Sequence, residues 1–305
     1  MLRKGDLTQG GITGTLLHFT LPMLVGSFLQ QCYNIADTLI VGQCIGAGAL
    51  AAVGSAYTLM VFLISVLLGL AMGSGTVFSL HYGAGNHVAL RRSIFSSFAL
   101  IGIVTLILNV VVFIWLDPIL RLLQVPQDIY GMMRSYLWII FCGIVFTFIY
   151  NFYASLLRAV GDSVTPLWFL AVSVVLNIAL DLFFILQLDW GIQGAAAATV
   201  LAQGVAALGI IIYTYRRRPE LRWHHEDMCF DRTCLKEIAS FSTLTCVQQS
   251  VMNLGILMVQ GLVNSFGTAV MAAFAAAVKI DSFAYMPVQE LSLIHISEPT
   301  RPEPI

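Results

Sequence analysis

Apolar residues in this chain occur in long blocks that recur along its length. Each block is roughly 20 to 28 residues long, enough to cross about 30 Å of hydrocarbon as a helix. About eight blocks can be distinguished, and they cover residues 16–41, 50–78, 94–116, 130–157, 166–188, 191–215, 238–263 and 269–291. Only 10% of the residues are charged, against about 25% in soluble domains. The sequence therefore predicts an all-α, polytopic membrane protein and not a soluble enzyme.

Basic residues are distributed unevenly between the gaps that separate these blocks. Eleven Lys and Arg residues lie in the N-terminal arm and in the second, fourth and sixth gaps, whereas the opposite gaps hold two. Because Lys and Arg accumulate in short cytoplasmic loops, this asymmetry predicts a cytoplasmic N-terminus in the cell membrane. The first block is too long for a signal-peptide core, so we interpret it as a retained helix.

The gaps also predict how the chain is organised. The longest, residues 216–236, is charged and polar, and we interpret it as a cytoplasmic linker between two lobes. Residues 1–215 would form a six-helix N-terminal lobe, and residues 237–291 the first two helices of a second lobe. A shift of 221 residues supports an internal repeat, as in many transporters. It places Gly46, Ala51, Ala52, Leu59 and Phe62 on Gly267, Ala272, Ala273, Ile280 and Phe283.

The last residues of the chain depart from the apolar pattern. The segment SLIHISEPTRPEPI, residues 292–305, carries three prolines among its last nine residues and resembles a translated sequencing-adapter read-through. We expect this segment to be non-native. We also expect the natural protein to continue beyond about residue 291, because the second lobe is otherwise cut after about two helices.

Few carboxylates lie inside the apolar blocks. A charge at the centre of a membrane helix costs roughly 2.5 to 3.5 kcal/mol on insertion scales, which makes each one a functional candidate. On the first block, Asp37 follows Asn34 and Gln30 at helical spacing, and on the fifth block Asp181 follows Asn177. Such polar stripes find no partners in lipid, so we expect them to face the interior of the bundle.

Two further blocks carry polar stripes without a carboxylate. Their members are Thr147, Asn151 and Ser155 on the fourth block and Thr199 and Gln203 on the sixth. No Lys or Arg lies at that depth in the first six blocks, so the two acids would be compensated by a proton or a small cation. Carboxylate, amide and hydroxyl oxygens are hard ligands suited to sodium. The alternative is that the polar groups hold helices together by hydrogen bonds worth about 0.6 kcal/mol each.

Three stretches of the sequence resemble the multidrug and toxic compound extrusion (MATE) family. They are YNIADTLIVG at residues 33–42, HYGAGN at residues 81–86 followed by Arg91 and Arg92, and LLRAVGDSVTP at residues 156–166. The family's members look like two six-helix lobes around a central cavity, and they export organic cations and similar amphiphiles in exchange for protons or sodium. The resemblance implies a MATE-like two-lobe helical bundle with the N-terminal lobe complete. It also implies a monomer with small-molecule substrates, no nucleic acid partner and no cofactor beyond the coupling ion.

The resemblance also implies roles for individual residues. In the DinF-like branch of the family the N-terminal lobe holds the coupling ion, and by position that site would comprise Asp37, Asn177, Asp181 and Thr199, with Asn151 nearby. These four residues would be the Na⁺ ligands if coupling uses sodium. Pro22 would be the bending point of the first helix. The remaining residues expected to line the cavity are Gln30, Tyr33, Asn34, Lys279 and Asp281.

The seventh block of this sequence departs from the pattern of one branch of the family. Another branch has a buried acid in the seventh helix, but the seventh block here offers only amides, which are Gln248, Gln249, Asn253 and Gln260. This argues against that branch's coupling scheme.

Three alternative functions remain. A flippase of lipid-linked precursors would share the two-lobe architecture, but it would carry basic residues in its cavity to hold phosphate groups. An intramembrane aspartic protease would use two aspartates, but the AVGD sequence at residues 159–162 lacks the extra glycine of such proteases and falls in a gap. The third is a helical bundle without transport activity. Motifs of zinc proteases, GxSxG hydrolases and Walker A ATPases are absent from the sequence.

Overall fold

The computed structural model describes residues 12–223 and 232–281 of the chain. The regular secondary structure of these residues is entirely helical. The predicted non-native segment, residues 292–305, and the end of the eighth apolar block lie outside the described residues.

The helices follow the apolar blocks. They are α1 (Ile12–Cys44), α2 (Ala47–Gly83), α3 (His87–Leu122), α4 (Gln127–Cys142), α5 (Ile144–Ala159), α6 (Val164–Leu182), α7 (Gly191–Arg217), α8 (Arg232–Asn264) and α9 (residues 268–281). A five-residue π-helix, Phe183–Gln187, continues α6. Five described helices are long and apolar enough to cross a membrane, and α4 with α5 makes a sixth if the pair is one bent span.

Among the described residues, the fourth apolar block is where the structure departs from the predicted single helix. Residues 130–157 are divided between α4 and α5, which meet at an angle of 49°. The break falls at Gly143, which packs against α7. A Cβ atom at this position would lie 2.5 Å from Val200 Cγ2, so the close approach of α7 requires glycine here.

Large apolar side chains cover the outer surface of the bundle as well as its core. Leu106 and Ile114 on α3 and Trp168 on α6 are 64%, 67% and 67% exposed, respectively. A soluble protein does not expose apolar surface so continuously, whereas hydrocarbon tolerates it. An apolar core together with an apolar outer surface confirms that the chain is a multi-pass membrane protein.

Helix α8 packs antiparallel along α2. Gly69 and Gly73 of α2 face Cys246 and Ser242 of α8, and a Cβ atom added at Gly73 would lie 2.5 Å from Ser242 Cα. Glycine at both positions therefore lets the two backbones approach closely, as small residues do between membrane helices. We call this contact the α2–α8 seam.

A buried hydrogen-bond network closes the seam near the end of α8. Asn264 Nδ2 donates to the backbone oxygen of Leu123 at 2.8 Å and to Ser55 Oγ at 3.1 Å. Gln260 Nε2 donates to Asn264 Oδ1 at 2.8 Å, and Thr58 Oγ1 donates to Gln260 Oε1 at 3.2 Å. This polar network connects α8 to α2 and to the α3–α4 loop.

The α1–α2 and α8–α9 hairpins turn in the same way. Gly46 follows α1 with a φ of 119°, and Gly267 follows α8 with a φ of 90°. These are the glycines that the 221-residue shift aligns, and both adopt backbone conformations that favour glycine. The two hairpins differ in the residues that they carry. The 221-residue shift aligns Asp37 of α1 with Met258 of α8, so the second hairpin has no carboxylate at this position.

The α5–α6 loop is held by an acidic residue, Asp162, two positions before α6 begins. Asp162 accepts hydrogen bonds from the backbone nitrogen of Thr165 at 3.0 Å and from its hydroxyl at 2.9 Å, and it pairs with Arg218 at 3.3 Å. Burial opposes the charge of Arg218, but Asp162 and the nearby Glu220 outweigh it and raise the pKa of Arg218. Because its carboxylate is occupied by Thr165 and Arg218, Asp162 does not resemble the catalytic aspartate of a protease.

Candidate cation site

The α6 and α7 helices bring three of the predicted site residues together. The Asn177 side-chain amide lies 2.7 Å from Asp181 Oδ2 and 3.2 Å from Thr199 Oγ1. With its nitrogen towards Asp181, the amide donates to the carboxylate, and its oxygen accepts hydrogen bonds from the Thr199 hydroxyl and, at 3.1 Å, from the Thr199 backbone. Asn177 thus joins the carboxylate to the neighbouring helix.

Asp181 has one oxygen that no protein group satisfies. Its side chain is fully buried, and Oδ1 has no hydrogen-bond partner among the described residues. The π-helix that begins two residues later marks an irregularity of the kind found at functional sites. A buried carboxylate in this state requires a proton or a cation.

The predicted second carboxylate belongs to the same cluster. Asp37 lies on α1 one helical turn after Tyr33. The Tyr33 hydroxyl lies 3.4 Å from Thr199 Oγ1, so α1 also reaches the α6–α7 pair through a hydrogen bond. Uptake of a proton or Na⁺ would relieve the repulsion between the two carboxylates.

A cavity of about 190 Å³ lies beside this cluster. Its walls include Gln30, Tyr33, Asn151, Asn177 and Thr199, all of which were predicted from the sequence. Asp37 and Asp181 are not among the residues lining it. Asp181 lies behind the part of the wall that Asn177 and Thr199 form.

A second cavity of about 430 Å³ continues from the first towards the end of the bundle that is predicted to be cytoplasmic. Both cavities are lined by Gln30 and Asn151, and the second also reaches Pro22, Asn34 and Arg158. The two cavities therefore share part of their walls beside the cluster.

Other predicted residues occupy supporting positions. Asn151 Nδ2 donates to the Thr147 backbone oxygen at 2.8 Å, and Thr147 in turn donates to Gln203, which joins α5 to α7. Asn34 is buried and donates to Gln31 at 3.0 Å. Pro22 lies inside the uninterrupted α1 helix, so its role as a hinge stays a prediction.

The two predicted residues of α9 lie in different environments. Lys279 is buried, with its ammonium 3.3 Å from the centroid of the Tyr57 ring, whereas Asp281 is exposed. Neither lines the two cavities.

Sequence reasoning missed one buried tyrosine of the bundle. Tyr136 on α4 is only 6% exposed. Within an apolar block, a tyrosine is normally interpreted as a core residue without a functional role. Its hydroxyl is the signal that points to a polar surrounding, because buried Tyr hydroxyl groups usually find a partner.

The oxygen groups present fit a small hard cation or a proton. Among the described residues, no three His, Cys, Asp or Glu side chains lie close enough together to hold a metal ion. The cluster instead offers carboxylate, amide and hydroxyl oxygens, together with the unpartnered Asp181 Oδ1. Such a mixed set suits Na⁺ or H⁺ and not the softer transition metals.

Comparison with known proteins identifies the family. Residues 22–183 match the family model described as MatE. The chain therefore belongs to the MATE family, which is a family of transporters and not of enzymes.

Individual relatives agree with this assignment. The probable multidrug resistance proteins YpnP and YoeA of Bacillus subtilis (strain 168) are 32% and 29% identical to the chain over 94% and 90% of its length. The chain spans 64% of YpnP and 61% of YoeA. A solved structure of the MATE multidrug transporter DinF-BH with a bound dye is 26% identical and superposes with a TM-score of 0.86, covering 95% of this chain and 64% of that one. The predicted fold class is thereby confirmed.

Proposed function

We propose that the protein is a secondary antiporter of the cell membrane that exports organic cations and amphiphilic drugs in exchange for H⁺ or Na⁺. One observation carries the proposal, namely the fully buried Asp181 carboxylate with an unpartnered oxygen beside a cavity. The names of YpnP and YoeA and the dye complex of DinF-BH support small-molecule export. The charge pattern of the loops supports a cytoplasmic N-terminus.

The cluster provides the coupling step of this mechanism. Asn177 orients Asp181 by donating to Oδ2, which leaves Oδ1 to accept a proton or to coordinate Na⁺. Asp37 adds a second negative charge from α1, so binding one cation relieves repulsion between helices of the same lobe. Because a ligand shifts a conformational equilibrium by its differential affinity for the two states, the ion gradient can drive the helices between two arrangements.

The connected cavities provide the substrate path. The smaller one, about 190 Å³, is below the roughly 300 Å³ at which drug-sized sites begin, whereas the larger one, about 430 Å³, reaches that range. Amide and tyrosine groups line both, together with apolar side chains such as Leu68 and Leu170. This mixed lining suits flat amphiphilic cations.

The proposal is tested in proteoliposomes loaded with a fluorescent cationic dye. An imposed pH gradient and an imposed Na⁺ gradient are applied separately, and dye movement is followed over time. Export driven by one gradient and abolished in Asp37→Asn and Asp181→Asn identifies the coupling ion. Equal export by the wild type with neither gradient would contradict antiport.

A flippase of lipid-linked precursors is the second candidate, and one residue favours it. Arg158 lines the larger cavity, where a guanidinium could hold a phosphate group, although its Nε donates to the Ala154 backbone oxygen at 3.2 Å. Transfer of a fluorescent polyprenyl-diphosphate lipid across the bilayer, lost in Arg158→Gln, would support this function. Dye export that is unchanged in the same variant would support the antiporter.

A further inference from the structure

The residues that line both cavities form a junction between them. These five residues come from four helices, and they are Gln30 of α1, Leu68 of α2, Tyr150 and Asn151 of α5, and Leu170 of α6. Tyr150 has the largest side chain of the five. A molecule that moves from one cavity to the other therefore has to pass its ring.

Tyr150 is held in place by a hydrogen bond from α5 to α6. Its hydroxyl donates to the Pro166 backbone oxygen at 3.0 Å. Pro166 lies in the first turn of α6 and is buried. Because a tyrosine side chain turns about only two χ angles, a hydrogen bond at its tip fixes the ring relative to both helices. The ring is therefore a fixed part of the junction.

Other side chains of the junction are held as well. Asn151 Nδ2 donates to the Thr147 backbone oxygen at 2.8 Å, which keeps its amide along α5. Leu170 lies beside Gly26 of α1, where an added Cβ atom would be 3.9 Å from Leu170 Cδ2. Since side chains in a packed interior have few empty spaces to move into, we expect the junction to keep its width unless the helices move.

The junction separates two different environments. Of the two cavities, only the smaller one, about 190 Å³, is lined by Asn177 and Thr199 of the cation site. The larger one, about 430 Å³, is lined instead by Pro22 and Arg158. Drug-sized sites begin at roughly 300 Å³, and one water molecule takes up about 30 Å³. The larger cavity therefore suits a drug, and the smaller one suits a small cation with a few water molecules.

We propose that Tyr150 determines specificity by size. Its ring keeps a drug-sized substrate in the larger cavity and leaves the smaller cavity to the coupling cation. A drug held in this way does not touch Asn177 or Thr199, so the drug and the cation occupy separate sites and influence each other only through the conformation of the lobe. The inference deepens the proposed antiport, on which it rests.

Separate sites and a shared site give different binding curves. When two ligands act on each other through the protein, their effect on affinity reaches a limit, typically about 5-fold to 150-fold. When they exclude each other from one space, each tenfold rise in drug concentration above its Kd lowers the apparent cation affinity by about a further tenfold. We therefore expect a limit in the wild type. We expect no limit in Tyr150→Ala, because the drug can then enter the smaller cavity.

The experiment measures cation binding to the purified protein at increasing concentrations of rhodamine 6G, a flat cationic dye. Radioactive sodium tests Na⁺, and proton release recorded with a pH electrode in sodium-free buffer tests H⁺. Tyr150→Ala removes the ring, and Tyr150→Phe keeps it. Tyr213→Ala is the matched control, because Tyr213 packs against Phe169 and lines neither cavity. We expect a dye effect without a limit in Tyr150→Ala alone. A limit in Tyr150→Ala, or none in the wild type, would overturn the inference.

Two additions keep the test decisive. If Tyr150→Ala does not fold, Tyr150→Leu also removes the ring but keeps an apolar side chain, and a limit in that variant would overturn the inference as well. The wild type separates the two proposals. Cation binding that the dye does not change in the wild type contradicts the proposed antiport itself, whereas a limited effect in both the wild type and Tyr150→Ala contradicts only the role of Tyr150.

Discussion

Asn177 and Asp181, one turn apart on α6, are joined by a 2.7 Å contact between the amide and the carboxylate. We expect Asn177→Ala to leave the carboxylate without its donor and to lower the cation affinity of the site about 10- to 100-fold, as loss of an orienting partner does at metal sites. The free energy of unfolding should fall by about 1–3 kcal/mol. Sodium binding and proton uptake of the purified variant measure the first effect, and denaturation in detergent measures the second.

Asn109 supplies the matched control for this substitution. Its Nδ2 donates to the Phe141 backbone oxygen at 2.9 Å, and it lines neither cavity and makes no contact with the Asn177 amide. Asn109→Ala should therefore lower stability by a comparable amount and leave cation affinity unchanged. A similar loss of affinity in both variants would show that the effect of Asn177→Ala is only structural.

The charge of Asp37 is the quantity that the proposed coupling depends on. Asp37→Asn keeps the shape of the side chain but cannot change charge, so it should abolish ion-coupled export while membrane insertion stays intact. Dye export from cells and the amount of protein in isolated membranes are the two measurements. Full export by this variant would eliminate the coupling role.

Asn264 is expected to determine how firmly α8 is attached to the first half of the chain. Asn264→Ala removes donors to Ser55 and Leu123 and an acceptor for Gln260, all of them buried. Unsatisfied buried groups of this kind cost about 1–3 kcal/mol each, so the melting temperature should fall clearly. Ser265→Ala, next in the chain but exposed, is the control and should leave it unchanged.

The α2–α8 seam requires glycine for a steric reason. Gly73→Val would drive side-chain atoms into Ser242 and should destabilise the protein by about 1–3 kcal/mol through overpacking. Gly131 on α4 has open space where a side chain would go, which makes Gly131→Val the matched control. Thermal unfolding of both purified variants compares them directly, and equal melting temperatures would contradict close packing at the seam.

The Asp162 loop should respond to removal of its carboxylate. Asp162→Ala removes two hydrogen bonds from Thr165 in the first turn of α6, each of which contributes about 0.5–1.5 kcal/mol. It also leaves Arg218, which is partly buried, without its nearer partner. The exposed ion pair of Asp117 and Arg134 is the control. Because solvent and salt screen this pair, its loss should lower the free energy of unfolding less than Asp162→Ala does. A larger loss of stability on removal of the Asp117–Arg134 pair than in Asp162→Ala would contradict the role of Asp162.

Much of the site was predictable because helical spacing is visible in the sequence. Asn177 and Asp181 share a helix face, and Thr199 lies on the next block. Because polar side chains find no hydrogen-bond partners in lipid, all three could be predicted to face the interior of the bundle. The break between α4 and α5 was not predictable, since Gly143 becomes necessary only through its contact with Val200.

Contacts between distant parts of the chain were likewise invisible in the sequence. The Ser55–Asn264 hydrogen bond joins residues 209 positions apart. The position of Lys279 over Tyr57 depends on how α9 packs against α2. Periodicity reports which face of a helix is polar, but it does not report which other helix that face meets.

The glycines of the α2–α8 seam have a mechanical consequence. Where large side chains interlock, two helices can move past each other only if rotamers change, which makes the joint stiff. Along Gly69 and Gly73 the surfaces in contact are mainly backbone and short side chains. A contact between backbones needs little side-chain repacking when α8 tilts against α2, so we expect such tilting to be resisted mainly by the buried hydrogen bonds of Asn264 and Gln260.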